Sequence, residues 1–365
     1  PQLASPSQTW EKIKSTNIGL DVAALNNRLT GSFDYFIRKT EDMMGPGIEL
    51  PAALGTNVPP TNNTDMKTYG WELQIGWRDQ IGDFKYGAKL SLSDSQSKIL
   101  RYGNPTGSLS KYVEGELIGN IYGYTTIGIA KTDEEMQQHL ASLPNGGQSA
   151  LGSQWAAGDI MYADLNGDGK INNGSYTIND MGDMKKIGNS TPRFMTGINL
   201  DAAYKGWDLQ MFWQGVLKRD WWPGDKNMTF WGVTDGEWWS TSFKEHLDYF
   251  RTSENPLGEN LNSYYPRPIF NTKNNKSQTR YLQNAAYMRL KNIQVGYTFP
   301  KVWINKLMLQ NLRIFVSGEN LLTITSLSDT MDPETCGAGY QSTEQANGTV
   351  YPLAKTITFG LSVNF

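Results

Sequence analysis

A run of oxygen-bearing side chains between residues 164 and 172 is the segment whose residue types and spacing best suit chemistry. Alternate positions carry carboxylates or amides, the hard ligands that Ca²⁺ prefers, and Gly169 permits the sharp turn that such loops need. The predicted ligands are the side chains of Asp164, Asn166, Asp168 and Asn172 and the backbone carbonyl of Lys170. The spacing matches the first part of an EF-hand loop.

The segment departs from an EF-hand further along. Ser175 stands where an EF-hand has its bidentate glutamate, so we expect Asp180 or Asp183 to complete the coordination. The alternative is an Asp-, Asn- and Gly-rich turn without metal. Flanking helices are not evident, so the predicted role of calcium is structural: it would make the long connection 99–192 rigid.

Tryptophans are concentrated in a second segment, residues 221–240. Its members are Trp221, Trp222, Trp231, Trp238 and Trp239. Flat indole faces suit the apolar faces of sugar rings, so these side chains are candidates for substrate binding. The alternative, which we favour, is that they pack a core inside a large loop, because exposed tryptophans are costly.

Other classes of function find little support. His139 and His246 stand far apart, without cysteines or carboxylates at metal-binding spacing around them, and we expect no enzyme. The formal net charge of -3 and the pI of about 5.6 give no basic footprint for nucleic acid. The single cysteine, Cys336, excludes an intrachain disulfide framework.

Strict alternation of apolar and polar residues dominates the rest of the chain and predicts an all-β fold. At the C-terminus, Ile357, Phe359, Leu361, Val363 and Phe365 share one face of such an alternation. A period of two is typical of β-strands. Nine strands are predicted, near residues 15–23, 28–38, 70–79, 84–98, 193–204, 207–217, 286–299, 311–324 and 355–365.

The connections between these strands are alternately short and long. The short ones are 24–27, 80–83, 205–206 and 300–310, and the long ones are 39–69, 99–192, 218–285 and 325–354. Strands of about ten residues with short turns at one end and long loops at the other are typical of a transmembrane antiparallel β-barrel. A secreted β-sandwich or jelly roll would also alternate, but it leaves the asymmetry in loop length unexplained.

The polar half of the alternation predicts a hydrophilic barrel interior, where it would hold a plug or edge a channel. The predicted interior residues are Asp34, Arg38, Glu72, Gln74, Arg78, Lys85, Lys89, Asp208, Gln210 and Gln214. For any one of them, simple solvation of a sheet face is an equally good interpretation.

Five segments, taken in order, carry a family resemblance. They are residues 17–44, 158–172, 187–216, 287–301 and 312–325, followed by the terminal Phe365. Together they resemble the C-terminal portion of the SusC/RagA-type TonB-dependent outer-membrane transporters of Bacteroidetes. The resemblance implies a barrel of about 22 strands around an N-terminal plug. Nine strands cannot close in lipid, so we expect residues 1–365 to be the C-terminal part of that barrel, with the plug and the front strands absent from this chain.

The resemblance also implies a function. We predict TonB-dependent import of an oligosaccharide across the bacterial outer membrane, with a SusD-like surface lipoprotein as lid and TonB acting on the missing part. Import of oligopeptides, as by RagA-like members, is the first alternative. A passive porin and a soluble carbohydrate-binding β-sandwich are the others. The strands would face outer-membrane lipid, with the loops extracellular and the C-terminus periplasmic.

Overall fold

The computed structural model describes residues 8–45, 59–236, 242–336 and 352–365. Its strands are β1 (Lys12–Ala24), β2 (Leu29–Gly45), β3 (Thr61–Ile81), β4 (Phe84–Arg101), β5 (Asn120–Tyr124), β6 (Thr126–Ile129), β7 (Ile160–Tyr162), β8 (Met184–Asn189), β9 (Arg193–Tyr204), β10 (Trp207–Lys218), β11 (Asp220–Trp221), β12 (Gln283–Asn284), β13 (Tyr287–Thr298), β14 (Asn311–Thr325) and β15 (Thr356–Asn364). The helices are α1 (Asp133–Ala141), α2 (Met228–Trp231) and α3 (Lys301–Ile304), with 3₁₀ turns at Gly232–Thr234, Lys244–Leu247, Lys273–Asn275 and Asn305–Leu307.

Nine of these strands form one sheet in the order β1-β2-β3-β4-β9-β10-β13-β14-β15. Each strand pairs antiparallel with its neighbours in this order. The nine predicted strands and the all-β fold are therefore confirmed. The six short strands pair only among themselves, within the long connections.

Strands β2 and β3 are longer than the sequence predicted. The described parts of the predicted loop 39–69 are almost entirely strand, because β2 continues to Gly45 and β3 begins at Thr61. This extension lacks apolar alternation, which is why the pattern missed it. Polar cross-strand contacts support it instead: the Arg101 guanidinium lies 2.9 Å from the Asp65 carboxylate.

One face of the sheet, which we call the apolar face, carries large apolar side chains that are exposed or half-buried. Leu20, Phe33, Leu73 and Leu92 lie opposite one another across four strands. At the other edge Phe359 is 78% exposed. A water-soluble protein would bury such a surface, whereas a sheet that faces lipid presents it.

Aromatic rings border the apolar face near the short turns and again at Trp71, midway along the long strand β3. Near the short turns, Trp207 lies 4.9 Å from Tyr297, and Phe299 lies 5.1 Å from Tyr297. Towards the long connections, Trp71 lies 6.5 Å from both Phe33 and Phe194. Two such rows match the aromatic girdles that barrels place at the two membrane–water interfaces.

The short turns follow the predicted positions. In the turn after β1, Leu25, Asn26 and Asn27 have positive φ values of 53°, 56° and 63°, a conformation that asparagine tolerates well. The fourth short connection holds α3, a helix that the alternating pattern did not predict. Among the described residues, no helix is both long and apolar enough to cross a bilayer.

Most of the buried hydrophobic residues that the structure describes lie outside the nine-stranded sheet. We call residues 102–192 and 219–286, in so far as the structure describes them, the loop layer. The main buried cluster belongs to this layer and contains Met136, Ile160, Tyr162, Ile171, Phe230, Trp231, Phe250 and Tyr281. The long connections therefore fold as a unit with its own interior.

On the opposite face of the sheet, which we call the polar face, an ion pair connects β14 to β10 across β13. The Arg313 Nε donates to Asp208 Oδ1 at 2.9 Å, from β14 to β10. Gly296 on β13 lies between them, and a Cβ at this position would overlap the Arg313 guanidinium. Glycine at this position thus leaves room for the close approach of a neighbouring side chain.

Replacing Gly296 with alanine should destabilise the sheet, because the new methyl group displaces Arg313 from Asp208. We expect a loss of about 1–2 kcal/mol, measured as a lower thermal midpoint of the purified protein in detergent. The matched control is Gly197→Ala on the same face, where a Cβ would meet only ordinary contacts at 3.6 Å and beyond. That variant should be neutral or slightly more stable, and equal effects in both would contradict the fastening role.

Candidate functional site

Three carboxylates of the predicted calcium loop come together in the loop layer. Oxygens of Asp164, Asp168 and Asp183 lie within 4.8 Å of one another. Calcium binds oxygen ligands at about 2.4 Å, so oxygens spaced in this way are close enough to share one ion. Of the predicted ligands, these three have the geometry of a cation site.

The local chain conformation positions two of these carboxylates by backbone hydrogen bonds. Asp164 accepts from the N–H groups of Gly167 at 2.7 Å and Gly169 at 2.9 Å, and both glycines have positive φ. Asp183 accepts from the N–H groups of Leu165 at 2.9 Å and Asn172 at 2.8 Å. Asp183 thereby joins the two ends of the 164–172 loop.

The remaining predicted ligands hold the loop's own turns. Asp180 Oδ2 accepts from the Ser175 N–H at 2.9 Å, and Asn172 Oδ1 accepts from the Gly174 N–H at 2.6 Å. Asn166 Oδ1 accepts from the Asp168 N–H at 3.0 Å. The Lys170 ammonium lies 3.9 Å from Asp168 Oδ2. The structure thus separates the converging carboxylates from the groups that shape the turn.

The cluster places two of its carboxyl groups in different electrostatic environments. Burial raises the pKa of Asp183, and the nearby Asp164 charge adds to the increase. Burial also acts on Asp164, but the N–H groups of Gly169 and Gly167 outweigh it and lower that pKa. An ionised Asp183 is therefore costly in the folded protein unless a positive charge lies beside it.

The tryptophans of the second candidate segment pack inside the loop layer. Trp231 is fully buried, and its ring lies 4.8 Å from Tyr281 and from Phe230. Trp221 lies on β11, opposite Gln283 of β12, and is buried in a smaller cluster with Ala285, Leu327 and Cys336. Trp222 packs on Trp231 at 6.1 Å. These contacts support the packing interpretation. Trp238 and Trp239 lie outside the described residues, and a substrate contact by this segment stays a prediction.

A buried charge cluster joins the two halves of the loop layer. Asp159 accepts from Arg267 Nε at 2.8 Å and from Asn274 Nδ2 at 2.9 Å, and the Lys273 ammonium lies 2.8 Å away. Asp159 is fully buried, and the side chain of Lys273 is only 2% exposed. Lys273 also lies over the Trp155 ring at 4.5 Å. More than 100 residues separate the partners, so local sequence gives no signal for this cluster.

A second charge cluster ties the connection after β14 to the sheet. Arg289 on β13 pairs with Asp332 and with Glu334, both at 2.8 Å, and Lys291 lies 3.1 Å from Glu334. The Arg289 Nε also donates to Thr323 Oγ1 at 2.8 Å. The described part of this connection is therefore held against the sheet, another contact that the sequence did not reveal.

The side chains on the polar face differ in charge from one group of strands to the next. On β2 to β4 it carries charged side chains, and Arg28, Arg78, Lys89 and Asp201 border a depression of about 240 Å³. From β10 to β15 it is mainly neutral. One registered row there consists of Gln210, Gln294, Ser317 and Thr358.

Replacing Asp159 with asparagine should loosen the loop layer, because Lys273 would stay buried without its counter-ion. We expect a loss of about 3–5 kcal/mol in the stability of the layer, measured as faster proteolysis of the loops in folded protein. The matched control is Asp248→Asn, whose exposed carboxylate accepts only a surface hydrogen bond from Asn260. Equal protease sensitivity in the two variants would contradict the role of Asp159.

The wild-type protein and the Asp159→Asn variant should also differ in how acid changes the protease sensitivity of their loops. Burial of Asp159 is outweighed by hydrogen bonds from Arg267, Asn274 and Lys273, so its pKa is lowered on folding. A lowered pKa stabilises the folded state above the unfolded value of about 3.9 and loses this contribution as the pH falls. Wild-type loops should therefore become protease-sensitive in acid, and Asp159→Asn should show a smaller pH dependence.

Comparison with known proteins agrees with the fold. A scan against models of protein families finds no match. The chain is 30% identical to TonB-dependent receptor P3 of Formosa agariphila, an alignment that covers 99% of this chain and 35% of that protein. It is 24% identical to TonB-dependent receptor SusC of Bacteroides thetaiotaomicron, over 100% of this chain and 33% of that protein.

Solved structures give the same answer for the fold. The RagAB peptide transporter matches with a TM-score of 0.69 and 21% identity, over 100% of this chain and 36% of that chain. The chain spans about a third of the length of the relatives it matches. In sequence and in fold, it corresponds to the C-terminal, barrel-forming part of the SusC/RagA-type TonB-dependent outer-membrane transporters of Bacteroidetes.

Proposed function

We propose that the chain is part of an importer that takes up a nutrient too large for diffusion across the outer membrane. The observation that carries the proposal is the nine-stranded antiparallel sheet with an exposed apolar face and a polar face, in a chain similar over its whole length to TonB-dependent receptors. In this arrangement the strands face lipid, the long connections are extracellular and the C-terminus is periplasmic. The named relatives are receptors, and the proposal includes no catalytic step.

An energised importer accounts for the loops better than a passive porin does. A porin needs an open mouth, whereas the loop layer has a closed aromatic core around Trp231. The Asp159 cluster joins its two halves, and the Arg289 cluster ties a further connection to the sheet. Loops built in this way suit a lidded entrance. The partners that we propose are a SusD-like surface lipoprotein as lid, and TonB acting on the plug and front part of the same transporter.

We assign the substrate to the oligosaccharides. The neutral row of Gln210, Gln294, Ser317 and Thr358 offers amide and hydroxyl groups, which bind sugar hydroxyls without requiring a charge on the substrate. Peptides are the alternative cargo. The RagAB structures concern a peptide importer, but at 21% identity they support the fold and carry no argument about the substrate.

Uptake should depend on the proton motive force. Cells that produce the complete transporter should accumulate a fluorescently labelled oligosaccharide, and a protonophore should reduce accumulation to the level of a strain lacking the gene. A matched labelled peptide tests the alternative cargo in the same cells. Uptake that persists with the protonophore would contradict energised import and favour a porin, while uptake of the peptide alone would overturn the substrate assignment.

We further propose that the acidic cluster binds a structural Ca²⁺. Asp164, Asp168 and Asp183 would supply carboxylates, with Asn166 beside them, and the ion's charge would offset the cost of ionised, buried Asp183. The ion would hold the 164–172 loop against residue 183 and so make this part of the loop layer rigid. No transport step depends on it.

Calcium should stabilise the loop layer of the chelator-treated protein by about 3 kcal/mol when the ion is in hundredfold excess over its Kd. Asp168→Asn should weaken Ca²⁺ binding about tenfold or more, because it removes one charge and still leaves an oxygen to accept from Lys170. The matched control is Asp180→Asn, which alters a turn carboxylate outside the cluster and should bind normally. Calorimetric titration measures both, and equal affinities in the two variants would contradict the assigned ligands.

A further inference from the structure

Four lysines form a row across four adjacent strands of the sheet. In the register of the sheet Lys14 lies opposite Lys39, Lys39 opposite Lys67, and Lys67 opposite Lys98. All four follow the alternation of the apolar face, so their side chains leave the sheet on the side that carries Phe33 and Leu73. We call this set the lysine row.

The lysine row lies just beyond the aromatic border at the loop end of the strands. Lys67 is four residues from Trp71 along β3, which is about 13 Å along the strand. At a strand tilt of about 45° this distance is about 9 Å along the membrane normal. Tyr69 lies between the two, and the Lys67 ammonium is 5.7 Å from its ring. The row is therefore at the height of lipid headgroups.

Carboxylates of the protein neutralise only part of the lysine row. Glu41 lies 2.7 Å from both Lys14 and Lys39, and it serves these two together. Within the described ranges, neither Lys67 nor Lys98 has a carboxylate at ion-pairing distance. Like charges placed directly opposite in a sheet are destabilising, so the second half of the row lacks a counter-charge that the first half has.

The neighbouring carboxylates of Asp42 and Asp65 do not supply that counter-charge, because they pair with other basic side chains. Asp42 pairs with Lys12 at 3.1 Å and with Arg101 at 3.1 Å, and Asp65 pairs with Arg101 at 2.9 Å. The lysine row, Glu41 and the neighbouring ion-paired residues Lys12, Asp42, Asp65 and Arg101 together comprise six basic and three acidic side chains. The surface as a whole is thus cationic, and its acids are already engaged.

We propose that the lysine row binds the phosphate-bearing headgroup of a glycolipid in the outer leaflet of the outer membrane. Lys67 and Lys98 would contact the phosphate, and the acyl chains would lie on the apolar surface that continues below the row through Tyr35, Phe33 and Leu73. This continuity favours a lipid over a soluble anion. The inference rests on the proposed function for the orientation of the loops towards the cell exterior.

The test uses the complete transporter, purified in a neutral detergent and stripped of bound lipid. The probe is monophosphoryl lipid A, compared with the same lipid after removal of its phosphate, and binding is measured by native mass spectrometry. The variant is Lys67→Gln with Lys98→Gln. The matched control is Lys301→Gln with Lys306→Gln, which removes two lysines at the short-turn end of the sheet.

Wild-type protein should bind the phosphorylated lipid more tightly than the dephosphorylated one. The double variant in the row should bind it about 30-fold more weakly, and the control should bind as wild type. Equal binding of the two lipids, or an unchanged double variant, would overturn the proposal. So would effective competition by inorganic phosphate, since that result would indicate a site for free phosphate. Nutrient uptake is measured separately, so a failure of the transport proposal is distinguishable from a failure of this one.

Discussion

The rest of this structure depends on one constraint, which is that lipid offers no hydrogen-bonding partner to the backbone of a strand. Hydrocarbon cannot hydrogen-bond to an N–H or C=O group, so a strand in lipid must be paired on both sides. The seven inner strands of the sheet meet this demand with an antiparallel neighbour on each side, whereas β1 and β15 at its edges are paired on one side only. The irregular parts of β2 and β3, around Asp42 and Asp65, lie at the loop end, beyond the aromatic border.

The same constraint explains why the hydrophobic core lies in the connections. Most of each face of the sheet is committed, one to lipid and one to a polar interior, so little of the sheet is left for the long loops to pack on. The loop layer must therefore bury its own apolar side chains, and Trp231, Tyr281 and Phe230 do so. The packing of Trp231 in the loop layer is accounted for by this need to bury apolar surface.

Ion pairs connect parts of the chain where hydrophobic packing is not available. Asp208 and Arg313 connect strands on the polar face across Gly296. Asp159 with Lys273 connects two loops, and Arg289 with Asp332 connects a loop to the sheet. The pairs Asp159 with Lys273 and Arg289 with Asp332 are buried, and removing one partner of a buried pair is strongly destabilising because it leaves an uncompensated charge.

The sequence by itself determined the number of long strands and the face that most of their residues take, because a period of two is a local property. It also indicated the family, through five segments in a fixed order. It also located the 164–172 loop, since the ligand spacing is local. Tertiary structure alone decided that Asp183 joins Asp164 and Asp168 while Asp180 holds a turn. It likewise decided that Asp159 meets Arg267 and that four lysines fall into one row. The physical reason is that register and loop packing bring together residues far apart in the chain, and no local pattern records their distances.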